Sequence, residues 1–156
     1  DMSDADLADQ VFYNRTIAVP IARDVDVSAV KRGAHRFVDA GCASCHTTTQ
    51  RSGDDEVVGL AHQTFHPFTD LLLHDMGPDL DDGVSEPGVR SSEWRTAPLV
   101  DLSTRGGQRR YLHDGRAASI SEAVGWHGGE ARASRQAFET LPPTEREALI
   151  RFLETR

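Results

Sequence analysis

The reactive side chains that stand closest together in this 156-residue chain are Cys42-Ala43-Ser44-Cys45-His46. Thiols three positions apart with an imidazole directly behind them suit one task above others, the covalent attachment of a haem. The thiols can add to two vinyl groups on one edge of a porphyrin, and the residue that follows then lies under the iron, where the His46 imidazole serves as proximal ligand. No third cysteine exists, which excludes a four-Cys zinc ribbon, a four-Cys iron–sulfur cluster and a scaffold of several disulfides. A redox dithiol would sit between a buried strand and a helix. Here the residues before Cys42 are helical in pattern and those after Cys45 form a polar loop, so one covalently attached haem c is the expected cofactor.

The remaining histidines carry weaker signals. His62 and His66 stand four apart, as on one face of a helical turn, yet no third ligand has a matching offset and Pro67 follows at once, so zinc is disfavoured. Asp79-Leu80-Asp81-Asp82-Gly83 has the acidic look of a calcium loop but no downstream Glu at the required spacing, and a solvated turn is expected. His35 falls on the polar side of its helix, and His74 suits an anchor for its own loop.

Helices must place the attachment motif. Residues 28–40 carry apolar side chains at 30, 34, 37 and 38, one helical face, and Gly41 ends the run directly before Cys42. Residues 141–153 begin with Pro142-Pro143, offer Thr144 and Glu147 as a capping box, and repeat apolar residues at 148, 149, 152 and 153. Between them, Ser119 and Glu122 cap a short helix that stops at Gly128-Gly129, and residues 131–140 suit another. Strand-like alternation is scarce, and 13 Gly and 7 Pro imply much loop. The expected architecture is all-α: a cytochrome c-like domain over residues 28–156, with a few helices and long loops around a porphyrin, preceded by an N-terminal extension over residues 1–27.

Charge and hydropathy narrow the partners. Seventeen basic against 25 acidic residues give a net charge of −8, and Lys31 is the single lysine among scattered arginines. Nucleic acid, which needs a cationic stripe, is not an expected partner. No run approaches the ~18 apolar residues of a membrane span.

A larger pattern joins these pieces. Asp70-Leu71-Leu72-Leu73-His74-Asp75-Met76-Gly77, Glu93-Trp94-Arg95-Thr96-Ala97-Pro98-Leu99, His113-Asp114-Gly115-Arg116-Ala117 and His127-Gly128-Gly129-Glu130-Ala131, together with the attachment motif, resemble the C-terminal haem domain of the di-haem oxidoreductase (thiol oxidoreductase) family. That family is related to the bacterial di-haem cytochrome c peroxidases and has a cytochrome c fold. Members carry two C-x-x-C-H motifs and this chain has one. The resemblance therefore implies a piece of a larger protein, with residues 11–20 as the connector before the domain. It also implies His127 as the sixth iron ligand, reached by counting on from the His113 segment, with Met76 as the alternative. Arg95 and Arg116 lie in motifs that it places near the haem, as partners for the propionates. Pro98 is expected to line the proximal side and His113 to form a hydrogen-bonding pocket wall.

The function expected from all this is single-electron transfer through a six-coordinate haem. The alternative is a peroxidase-type enzyme that activates hydrogen peroxide at an open iron site, and a gas-binding sensor is a third class. The partner would be a redox protein, steered by acidic surface residues if it is basic, or the missing first haem domain. Because haem is attached on the exported side of the bacterial membrane, a periplasmic or secreted location is expected.

Overall fold

The computed structural model describes residues 2–17, 21–102 and 109–156. The Ala18–Pro20 part of the expected connector lies outside the described residues. Its first part lies in a helix, α1 (Asp4–Thr16), which starts at a Ser3–Asp6 capping box and buries none of its side chains.

The core forms where α2 (Ser28–Asp39) crosses α5 (Pro143–Glu154). The apolar spacing of α2 buries Val30 and Phe37, while Val38, at the edge of that face, is 56% exposed. Against them α5 sets Ala148, Leu149, Phe152 and Leu153, all buried. The helices approach closely because Gly33 has no side chain: a Cβ there would overlap the Ala148 carbonyl. Arg36 ties them at the surface through Glu145 at 2.7 Å. The Phe37 ring meets Phe152 at 5.5 Å and Phe68 at 5.9 Å, in tilted and edge-on geometry. Each such buried side chain contributes about 1.5–3 kcal/mol. The expected Thr144 capping box does not form, because the helix begins at Pro143 and Thr144 already lies in its first turn. A proline at the first helical position needs no such help, having no N–H to satisfy.

The all-α expectation is not met. The described residues are 42% helical and include two small antiparallel sheets. In one, β1 (Gln50–Arg51) pairs with β2 (Thr64–Phe65). In the other, β3 (Leu73–Asp75) pairs with β4 (Glu93–Arg95), setting His74 opposite Trp94. Strands of two and three residues are too short to display the alternation by which a strand is read from sequence. Two more helices complete the fold, α3 (Ile120–Gly125) and α4 (Arg132–Thr140). The Ser119 hydroxyl caps α3 by accepting from the Glu122 N–H at 3.1 Å, and Phe138 of α4 is buried in the α2–α5 core.

Candidate functional site

A cavity of about 410 Å³ opens beside this core, and it collects residues far apart in the chain. Cys42, Cys45 and His46 line it from the α2 side. At the end of α2, Gly41 adopts a left-handed conformation (φ +79°) that a side chain would disfavour, and its N–H bonds back to the Val38 carbonyl. The chain then turns through a short 3-10 segment, Cys42–Ser44, closed by the His46 N–H donating to the Cys42 carbonyl at 3.0 Å. The two thiols and the imidazole are thereby presented on one tight turn.

The His46 ring is fixed from behind. Its Nδ1 lies 2.9 Å from the Phe68 carbonyl, and since a carbonyl only accepts, Nδ1 carries the proton and Nε2 keeps its lone pair. Phe68 itself has φ +53°, an uncommon conformation for an aromatic residue. His127, which follows α3, shows the same arrangement: its Nδ1 donates to the Ala123 carbonyl at 2.8 Å. Neither Nε2 has a hydrogen-bond partner among the described residues. Burial lowers both pKa values; the Phe68 and Ala123 hydrogen bonds oppose the shift, while like charge adds to it, from His127 on His46 and from Arg135 on His127. The imidazoles are therefore neutral near pH 7, the form in which they bind a metal.

His127 reaches the cavity because two backbone segments touch. Gly129 (φ +48°) lies against Asp75 so closely that a Cβ would overlap its carbonyl, and Gly128 leaves no room beside the Met76 carbonyl. Met76 thus lines the same cavity and sits next to the His127 segment in space.

His74, across the cavity mouth, is clamped by two carboxylates, Asp70 on Nε2 and Glu130 on Nδ1, each at 2.9 Å. These hydrogen bonds, Glu130 foremost, raise its pKa. The clamp ties the ends of the Asp70–His74 segment together and turns Leu71, Leu72 and Leu73 outward, with Leu71 in the left-handed region. His74 thus anchors its loop, as expected. Its Nδ1 also lies 3.8 Å from the Cys45 sulfur. Burial pushes the Cys42 thiol up to about 11, and burial, with the nearby negative charges of Asp70 and Glu130, pushes Cys45 up as well.

Arg95 and Pro98 line the cavity, and so does His113, which stacks flat on Trp94 at 3.6 Å. His113 forms a wall through this stack and not through a hydrogen bond. Arg116 does not line the cavity; its guanidinium is held by Asp114 at 2.6 Å and lies over Trp126. His62 and His66 are not on one helical turn, since β2 runs between them; His62 pairs with Asp54 and His66 with the Thr48 carbonyl. His35 is exposed, as expected. Trp94 and Arg135 are among the cavity residues to which the sequence assigned no role. Trp94 lay within a recognised motif, but nothing in the spacing of α4 marks Arg135.

The family model described as "Di-haem oxidoreductase, putative peroxidase" matches residues 1–156, the whole chain. The chain belongs to the di-haem oxidoreductase family. It is also similar to the methylamine utilization protein MauG of Methylorubrum extorquens, 36% identical over 140 residues, which cover 80% of this chain and 33% of the relative. The chain thus spans about a third of the length of that curated relative. No solved structure matches it. The cavity suits the family's haem in its donor set: two thiols on one turn, two imidazoles each with an unprotonated Nε2, and apolar walls that include Leu99, Leu149 and Leu153.

Proposed function

We propose that this chain is a c-type haem domain of a di-haem oxidoreductase and that it transfers single electrons. Cys42 and Cys45 would hold one haem through thioethers, and His46 and His127 would offer its iron their imidazole nitrogens. The observation that carries the reading is the matched pair of half-buried imidazoles, each fixed through Nδ1–H to a main-chain carbonyl with Nε2 left for a metal. Bound there, the haem iron supplies a one-electron couple. The side chains hold rigid ligands, exclude water with apolar walls, and leave the Cys45 side near the surface for a redox partner. That partner is a separate protein or the first haem domain of a longer parent.

The periplasm is the proposed location, because covalent haem attachment takes place on the exported side of the bacterial membrane. No helix among the described residues is long and apolar enough to cross a membrane.

Denaturing mass spectrometry and one oxidised and reduced visible spectrum test the proposal. The expected result is a polypeptide heavier by one haem with a low-spin spectrum that lacks the far-red band of Met-ligated ferric haem. A bare polypeptide mass, from cells with working attachment machinery, removes the haem reading. The isolated domain is expected to exchange electrons rapidly with small mediators and to turn over hydrogen peroxide no faster than a denatured haem peptide. Peroxidase turnover well above that background favours the enzyme alternative.

A further inference from the structure

A guanidinium nitrogen buried without a partner is costly, and one such atom lies at the cavity wall. Arg135 of α4 lines the cavity, and its Nε is buried with no hydrogen-bond partner among the described residues. Its Nη1 donates to the Gly125 carbonyl at 3.2 Å, which fixes the head group beside the end of α3. Glu139, one turn further along α4, is 3.8 Å from Nε, too far for a hydrogen bond. The side chain is only 25% exposed, so little of it can be solvated instead. Glu139 makes an ion pair with Arg135 and no hydrogen bond, and among the described residues no other carboxylate is bonded to it. The Nδ1 of His127 is bonded to the Ala123 carbonyl, and Glu130 is committed to His74 and to the Asp75 N–H.

Arg116 offers a contrast. Asp114 and the Asp79 carbonyl already satisfy it, and it is absent from the cavity wall. The arginines that do line the cavity, among the described residues, are Arg95 and Arg135, and Arg95 is the exposed one.

We propose that Arg135 is the interior anchor for a carboxylate of the cofactor, its Nε–H donating to a haem propionate. The inference rests on the haem reading above and deepens it. A propionate brings an anionic acceptor to a buried Nε–H whose nearest carboxylate, Glu139, stays 3.8 Å away, and a charge-assisted hydrogen bond of this kind is stronger than a neutral one. Arg135 is thus a positioning residue that would orient the porphyrin, and its positive charge at the cavity wall would favour the reduced state.

The test compares the haem-loaded wild type with Arg135→Gln, Arg135→Lys, Glu139→Gln and Arg116→Gln, using the propionate bending band of the resonance Raman spectrum and the midpoint potential at one pH. Arg135→Gln is expected to lower both the band frequency and the potential. Arg135→Lys is expected to shift the band while holding the potential near the wild-type value. Arg116→Gln and Glu139→Gln are expected to leave the band where it is. An unmoved band in Arg135→Gln overturns the proposal, as does Glu139→Gln reproducing its whole effect, which would make Arg135 the partner of that carboxylate only. If Arg135→Gln loads no haem, Arg135→Lys decides: a shifted band supports the anchor and an unmoved one overturns it. A wild type without covalent haem is a separate failure, that of the haem reading itself.

Discussion

The two walls of the cavity are built by different means. The His46 wall is helix on helix: α2 and α5 interlock through Phe37, Leu149 and Phe152, and the attachment motif is a continuation of α2. The His127 wall is made of three-residue strands, a six-residue helix and a glycine contact between backbones, with its order supplied by hydrogen bonds such as the His74 clamp. Hydrophobic burial fixes the first, and geometry without much burial fixes the second. A wall of the first kind resists change until its core is hollowed. One of the second kind responds to single atoms.

Hollowing the first wall gives the largest expected effect. Phe37→Ala removes a ring that is 2% exposed and touches Phe68, Phe152 and His46. The expected loss is about 3–5 kcal/mol of unfolding free energy, read from a denaturant titration. A loss below ~1 kcal/mol would show that the helix pair is not the source of stability. On the second wall, adding one methyl group at Gly129 is expected to separate the backbones at Asp75, at a cost of about 1–3 kcal/mol. Gly129→Ala should also weaken the low-spin spectrum, as His127 is displaced, while the proximal attachment survives. If stability falls and the spectrum is unchanged, the glycine contact does not set the ligand.

Smaller changes sharpen the contrast. His127→Ala is expected to turn the iron high-spin with little change in the unfolding midpoint, and Met76→Ala to leave the spectrum alone. The reverse pattern exchanges the two ligands.

The smallest effect is one of pH. His74 has a raised pKa, so its contribution is present below its ordinary 6.5 and is lost as pH rises through the higher folded value. Glu130 has a lowered pKa, set chiefly by its hydrogen bond with His74, so its contribution is present above its ordinary 4.5 and is lost as pH falls through the lower folded value. The difference in melting temperature between wild type and Glu130→Gln should therefore be widest between those two ordinary values and close at alkaline pH. A difference that grows with alkalinity would place the charge elsewhere.

The same contrast explains what could be read from the chain. The first wall was legible because burial leaves a period: residues 148, 149, 152 and 153 stand one helical turn apart, and all are buried. Cys42, Cys45 and His46 could be grouped in the sequence because haem attachment would fix their spacing, and they share one turn at the cavity wall. The second wall left no such trace. Strands β3 and β4 are too short for a pattern, so the fold was expected to be all-α. Arg116 was chosen from its motif and Arg135 was passed over, since what separates them emerges only in space: Arg116 is held by Asp114 away from the cavity, and Arg135 lines it. His127 was reached by family resemblance, and its hydrogen bond to Ala123 emerges only from the fold.

The raised thiol pKa values have a consequence for the order of assembly. In the folded chain burial pushes the Cys42 thiol up to about 11, and burial, with the nearby charges of Asp70 and Glu130, pushes Cys45 up as well. Thiolates are the form that attacks disulfides and alkylating reagents, so the finished fold shelters the pair from oxidation but also makes it unreactive. On the proposed haem reading, attachment therefore comes while the chain is still open, with closure of the walls as the later event. Slow alkylation of the folded, haem-free chain at neutral pH, beside rapid alkylation of the unfolded one, would record that sequence of events; equal rates would contradict it.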